Sequence, residues 1–111
     1  MTEKQIETKI KAVLKQNNIL FYKIHGSAYQ VAGIPDLLIC FKGRFIGCEL
    51  KLSRNKLSPL QAYNLQHIKK NNGISLIVDE RTYIQFNECI ILGDINGIIR
   101  LSAKSAELYN W

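Results

Sequence analysis

The chain has 111 residues, of which 47% are hydrophobic and 22% charged, which suffices for one domain with a core but not for two. This apolar fraction excludes a disordered chain, and no apolar run approaches the roughly 18 residues of a membrane helix. The N-terminal segment lacks the roughly 7–15 apolar residues of a signal peptide. We therefore expect a soluble, intracellular protein without a membrane partner.

The charge balance is basic, with 15 Lys and Arg against nine Asp and Glu and a net charge of +6. Such a balance suits a polyanion such as nucleic acid, although many small domains carry it for solubility alone. The distribution favours nucleic acid, because one short stretch holds five cations and a single acid, Glu49. These cations are Lys42, Arg44, Lys51, Arg54 and Lys56.

The first half of the chain predicts one helix and three strands. Apolar residues recur at helical spacing behind Thr2, a candidate N-cap, up to about Asn17. Residues 19–25 are rich in β-branched and aromatic types and predict a strand, and a Gly- and Pro-containing loop follows. A nearly all-apolar stretch, residues 36–41, predicts a buried strand, and a tight turn at Lys42 and Gly43 leads into the return strand, residues 44–52.

The next elements are a helix and a strand, which complete an α/β fold. Ser58, Pro59 and Gln61 form a helix start in which Ser caps, Pro occupies the first turn and Gln closes a capping box. The helix is predicted to end at Asn72 and Gly73, with Gly as the stop, before a short buried strand. The order αβββαβ predicts a mixed sheet flanked by helices.

The last third of the chain has a weaker pattern. Residues 82–92 fit a helix or a strand equally well. Asn96 and Gly97 resemble the turn of a hairpin, and residues 102–111 predict a short closing helix.

Two carboxylates are expected to face each other on the predicted hairpin. If the chain turns symmetrically about Lys42 and Gly43, Asp36 lies directly opposite Glu49, with Cβ atoms about 4.5–5.5 Å apart. Like charges destabilise a sheet in that position, so a raised pKa or a divalent cation must offset them. Lys51 shares the face of Glu49 because side chains alternate along a strand, whereas a register slip of one residue separates the carboxylates.

This group of residues has the chemistry of metal-dependent phosphodiester hydrolysis. Carboxylate oxygens suit Mg²⁺ or Mn²⁺, which can bind a scissile phosphate and acidify a water. A nearby lysine can stabilise the charge of the transition state. An isolated E-x-K is an ordinary polar sheet face, but its combination with Pro35 and Asp36 at the matching register favours function.

The motifs resemble those of a known nuclease superfamily. Pro35-Asp36 followed by Glu49-Leu50-Lys51 is similar to the PD-(D/E)xK signature. The longer pattern, residues 33–38 with Gly43 and residues 58–61, resembles the virus-type replication-repair nuclease (VRR-NUC) domain over about residues 3–80, which leaves residues 81–111 as a C-terminal extension. The resemblance implies a restriction-endonuclease-like core, similar to Holliday-junction resolvases, and a small phage or bacterial enzyme.

The resemblance also implies roles for individual residues. Asp36 and Glu49 correspond to metal ligands, with the main-chain carbonyl of Leu50 as a third, and Lys51 corresponds to the catalytic lysine. Gln61 matches a glutamine that supports the site, although the capping box explains it equally well. Glu7 matches a first-helix acid that also ligates the metal, in competition with an ordinary i,i+4 ion pair to Lys11.

We expect DNA contacts at two sets of residues. Gly26 and Ser27 match a loop that approaches the substrate backbone, although a strand-ending turn is the rival explanation. The cationic side chains of Lys42, Arg44, Arg54 and Lys56 are expected to bind phosphates.

The function expected from these residues is a Mg²⁺- or Mn²⁺-dependent endonuclease that nicks branched DNA, such as four-way junctions, as a homodimer. A flap, duplex or nicking nuclease is the alternative within the enzyme class. A non-catalytic DNA-binding module is the alternative outside it, but a pure binder gains nothing from two opposed carboxylates.

Overall fold

Four strands form one mixed sheet in the order β1-β2-β3-β4. The computed structural model describes residues 1–25 and 32–111, so the predicted DNA contacts Gly26 and Ser27 lie outside the described residues. The β1–β2 and β2–β3 pairs are antiparallel and the β3–β4 pair is parallel. The strands are β1 (Leu20–Lys23), β2 (Leu37–Phe41), β3 (Arg44–Leu50) and β4 (Ile74–Val78).

Helices flank this sheet, which confirms the predicted α/β class and the αβββαβ order of the first six elements. None of the helices in the described ranges is long and apolar enough to cross a membrane. The helices are α1 (Glu3–Gln16), α2 (Pro59–Lys70), α3 (Tyr83–Leu92) and α4 (Ile95–Tyr109).

The predicted N-cap of α1 at Thr2 and the predicted capping box of α2 at Ser58 and Gln61 are both present, and Thr2 also forms a capping box. The Thr2 side chain accepts a hydrogen bond from the Gln5 backbone and the Gln5 side chain accepts one from the Thr2 backbone, so α1 begins as expected. The end of α2 differs from the prediction, because Asn71 is the C-cap and Asn72, not Gly73, takes the left-handed conformation, with φ of 66°. Asparagine tolerates that conformation better than most residues.

The C-terminal helices belong to the same hydrophobic core as the sheet. Phe86 and Ile90 of α3 and Ile98 of α4 are almost fully buried in one cluster with α1, β2, β3 and β4. Residues 83–109 are therefore an integral part of this core rather than an appendage to it.

The predicted hairpin turn at Asn96 and Gly97 is wrong, because both residues lie in the first turn of α4. Asp94 caps that helix by accepting a hydrogen bond from the Gly97 amide at 2.9 Å. Gly97 is required for close packing: a Cβ atom there would lie 2.5 Å from the Cys89 Sγ. The glycine therefore marks a close approach of α3 and α4. The closing helix begins at Ile95, not at residue 102 as predicted.

Helix α4 also covers the β4 edge of the sheet. The Ser105 hydroxyl accepts a hydrogen bond from the Ile77 amide at 3.1 Å, and the Ser102 hydroxyl donates to the Ser75 carbonyl. These contacts satisfy edge groups of β4 that another chain could otherwise pair with.

Candidate functional site

The β2–β3 hairpin has the register that the sequence predicts. Lys42 and Gly43 form the turn with φ of 52° and 73°, as in the turns that best match the twist of a two-residue hairpin. Leu37 pairs with Cys48, so the next position away from the turn brings Asp36 opposite Glu49. The structure therefore confirms that the two acids meet at the open end of the hairpin.

The two carboxyl groups are in direct contact. The Asp36 Oδ2 accepts a hydrogen bond from the Leu50 amide at 2.8 Å, which fixes its carboxylate against the end of β3. Glu49 is only 4% exposed. Burial, the charge of Asp36 and a hydrogen bond between the two side chains raise the pKa of Glu49 to about 9. In the absence of a cation, the pair therefore holds a proton at neutral pH.

Gln61 contacts this pair from the first turn of α2. Its Nε2 donates to the Glu49 Oε2 at 3.3 Å, while its Oε1 accepts a hydrogen bond from the Ser58 amide at 2.9 Å. The two interpretations of Gln61 are therefore compatible, since one side chain closes the capping box and reaches the carboxylate. The amide thereby orients one oxygen of Glu49.

Two lysines place positive charge near the carboxylates. Lys51 is half-buried, and its charge acts to lower the pKa of Glu49, against the larger effects of burial and Asp36. The Lys23 Nζ lies 3.6 Å from the Asp36 Oδ1. Lys23 is not among the residues predicted for the site, although it is the only Lys or Arg in the predicted strand over residues 19–25.

Glu7 is connected to the site through Lys23. Its carboxylate lies 2.6 Å from the Lys23 Nζ and 3.2 Å from the Lys11 Nζ, so the predicted i,i+4 ion pair is present. Burial raises the pKa of Glu7, but the hydrogen bonds from both lysines outweigh it and hold the pKa below its ordinary value. A role of Glu7 as a metal ligand stays a prediction.

The donor atoms at the open end of the hairpin suit a hard cation. They are the carboxylate oxygens of Asp36 and Glu49, with the Leu50 carbonyl as the third predicted ligand, and oxygen donors are those that Mg²⁺ and Mn²⁺ prefer. Across residues 1–25 and 32–111, no three His, Cys, Asp or Glu side chains are arranged to hold a metal ion. A cation here would therefore depend on two carboxylates, main-chain oxygen and water, as is usual for Mg²⁺.

The predicted phosphate contacts fall at opposite ends of the hairpin. Lys42 and Arg44 lie at the turn, where the Arg44 Nη2 donates to the Asn72 carbonyl at 3.2 Å. Arg54 and Lys56 are exposed on residues 51–58, which connect the carboxylate end of β3 to α2. Since β3 spans seven residues, about 20 Å separates its two ends, and Arg54 and Lys56 follow the end that carries the acids.

No protein-family model matches the sequence, and no curated protein matches it at a significant level. The functional interpretation therefore depends on the geometry of the carboxylate pair and its neighbours.

Proposed function

We propose that the protein is a Mg²⁺- or Mn²⁺-dependent DNA endonuclease of the PD-(D/E)xK type, similar to VRR-NUC domains. The observation that carries the proposal is the contact of Asp36 with Glu49 at the open end of the hairpin, with Lys51 two positions beyond Glu49. Both acids are held by hydrogen bonds, from Leu50 and Gln61, although like charges there destabilise the sheet.

The residues divide the work of hydrolysis among them. A divalent cation bound here would stabilise the negative charge that develops on the phosphate oxygens and would lower the pKa of a bound water. Asp36 and Glu49 would hold that cation, and Gln61 orients one oxygen of Glu49. The Lys51 ammonium orients the attacking water or stabilises the charge that develops on the phosphate.

The substrate in this proposal is branched DNA, and the enzyme acts as a homodimer inside a bacterial or phage-infected cell. The excess of cations favours binding to the phosphate backbone without reading of the base sequence. A four-way junction is symmetric, so two cuts need two sites related by a two-fold axis. The Asp36–Glu49 pair would supply one site per protomer, so a dimer would supply both sites.

The experiment compares four-way junctions, flaps and plain duplexes as substrates of the wild type, Asp36→Asn, Glu49→Gln and Lys51→Met, with Mn²⁺ or EDTA. Each variant should lose about 10³-fold in cleavage rate, because each removes several kcal/mol of transition-state stabilisation. Glu107→Gln, an equivalent change at an exposed glutamate of α4, should retain full activity.

Three outcomes would contradict the nuclease proposal. They are cleavage in EDTA, full activity of Glu49→Gln, and a gel shift of junction DNA that persists in EDTA without any cleavage in Mn²⁺. The last result would favour a non-catalytic DNA-binding module, and preferential cutting of flaps or duplexes would change only the substrate.

A further inference from the structure

A second polar feature lies beside the N-terminus of α2. It is a cleft of about 570 Å³ between residues 53–59 and the chain segments at Arg81 and at the end of α4. Three cationic side chains line this cleft, and none of its lining residues in the described part of the chain is acidic. The cations are Arg54, Lys56 and Arg81.

Arg81 is held in place by a buried carboxylate. The Asp79 side chain accepts hydrogen bonds from the Arg81 Nη2 at 2.6 Å, the Arg81 Nε at 3.1 Å and the Tyr109 hydroxyl at 2.6 Å. Asp79 is 1% exposed, whereas the Arg81 side chain is 47% exposed. These contacts use Nε and Nη2 of the guanidinium, whose remaining nitrogen, Nη1, carries two further N–H donors.

The opposite wall of the cleft is also fixed. The Ser53 amide and hydroxyl donate to the two Glu80 carboxylate oxygens at 2.8 and 2.6 Å, which ties the segment after β3 to the segment after β4. The Asn55 amide donates to the Leu52 carbonyl at 2.9 Å. Arg54 therefore projects from a backbone that is already ordered, which lowers the entropic cost of binding a ligand.

We propose that this cleft binds the phosphate backbone of DNA and that Arg81 is its central contact. A planar guanidinium held by a carboxylate on one side can offer its remaining donors to phosphate oxygens, for which arginine is well suited. Asp79 offsets the charge of Arg81, so Arg54 and Lys56 supply the net positive charge of the cleft.

The position of the cleft connects it to the carboxylate pair. Pro59 and Ala62 line it, and Gln61, which contacts Glu49, lies between them on the same helix. The inference deepens the proposed nuclease function and rests on it: the DNA strand that continues from the scissile phosphate would pass along this wall of α2. Residues beyond β4, which the family resemblance does not cover, would then hold the substrate.

The test measures binding without cleavage, as the anisotropy of a short fluorescein-labelled DNA duplex in EDTA over a range of salt concentrations. Arg81→Ala should weaken binding about tenfold, as expected for one charge-assisted contact, and reduce the salt dependence by about one phosphate contact. Arg100→Ala is the matched control, because Arg100 also pairs with an aspartate, Asp94 at 3.6 Å, but outside this cleft. It should leave the salt dependence unchanged.

Arg81→Ala leaves Asp79 buried without its cation, so this variant could fail to fold. A second variant keeps the proposal testable in that case. The double change Arg54→Ala and Lys56→Ala affects exposed side chains of the same cleft and should reduce the salt dependence by about two contacts. Equal salt dependence in the wild type and in these folded variants would overturn the proposed cleft.

Cleavage assays separate this proposal from the nuclease proposal. If the wild type cuts DNA and the cleft variants bind and cut normally, only the proposed cleft is wrong. If the wild type cuts nothing but the cleft variants bind DNA more weakly, the cleft proposal stands and the nuclease proposal fails.

Discussion

Two buried carboxylates lie at the carboxyl ends of neighbouring strands but have opposite electrostatic environments. Glu49 is the penultimate residue of β3, and Asp79 directly follows β4, whose Val78 pairs with Leu50. They are 4% and 1% exposed. The pKa of Glu49 is raised to about 9, whereas the pKa of Asp79 is lowered.

The partners of each group explain this difference. Burial raises both pKa values, but Arg81 and Tyr109 donate hydrogen bonds to Asp79 and outweigh burial there. Glu49 instead faces Asp36, and the amide of Gln61 and the charge of Lys51 do not compensate. The buried carboxylate of Asp79 is thus fully compensated by its hydrogen-bond partners. The burial of Glu49 is not compensated by its partners, which is typical of a residue kept for function rather than for stability.

The largest expected effect on stability is a loss when Asp79 is changed. Asp79→Asn should lower the free energy of unfolding by about 2 kcal/mol, because it weakens the charge-assisted hydrogen bonds that the buried Asp79 carboxylate accepts from Arg81 and Tyr109. Urea unfolding of the metal-free protein measures this loss. Glu107→Gln, at an exposed position, should change stability by less than about 0.5 kcal/mol.

The same variant has a defined pH signature. Since the folded-state pKa of Asp79 is lowered, its contribution to stability is present above the ordinary aspartate value of about 3.9 and is lost as the pH falls through the folded-state value. Asp79→Asn should therefore lose less stability than the wild type on acidification below about pH 4. Parallel acid profiles of the two proteins would show that the ionised Asp79 does not stabilise the fold.

A smaller effect on stability, of opposite sign, is expected when Glu49 is changed. Glu49→Gln should raise the stability of the metal-free protein by about 1 kcal/mol at neutral pH, because a neutral amide avoids the cost of burying and protonating Glu49 beside Asp36. The raised pKa means that wild-type stability falls as the pH rises from about 4.3 towards 9. The advantage of Glu49→Gln should therefore grow over that range in thermal unfolding with EDTA, and a destabilised variant would contradict the comparison.

Much of the site around Asp36 and Glu49 can be predicted from local sequence rules. A two-residue turn at Lys42 and Gly43 fixes the hairpin register, and strand periodicity then brings Asp36 and Glu49 together. Ser58 and Gln61 identify the start of α2 with similar reliability. In each case, the residues that decide the structure lie close together in the chain or pair through one turn.

The rest depends on contacts that local rules do not define. Lys23 reaches Asp36 because β1 pairs with β2, and Tyr109 reaches Asp79 from the far end of α4. Gly97 is predicted to lie in a hairpin turn, but it lies in α4, where the close packing against α3 leaves no room for a side chain. Asp79 and Arg81 are only two positions apart in sequence, but only the burial of the aspartate shows that they form a fixed unit.

The most direct test of the central claim is Mn²⁺ binding measured by titration calorimetry without DNA. The wild type should bind Mn²⁺, and Asp36→Asn and Glu49→Gln should each weaken binding by at least about tenfold, the lower limit for loss of a group that supports a metal site. Glu107→Gln should bind like the wild type. Equal affinity in all four proteins, or no binding by the wild type, would contradict a metal centre at the open end of the hairpin.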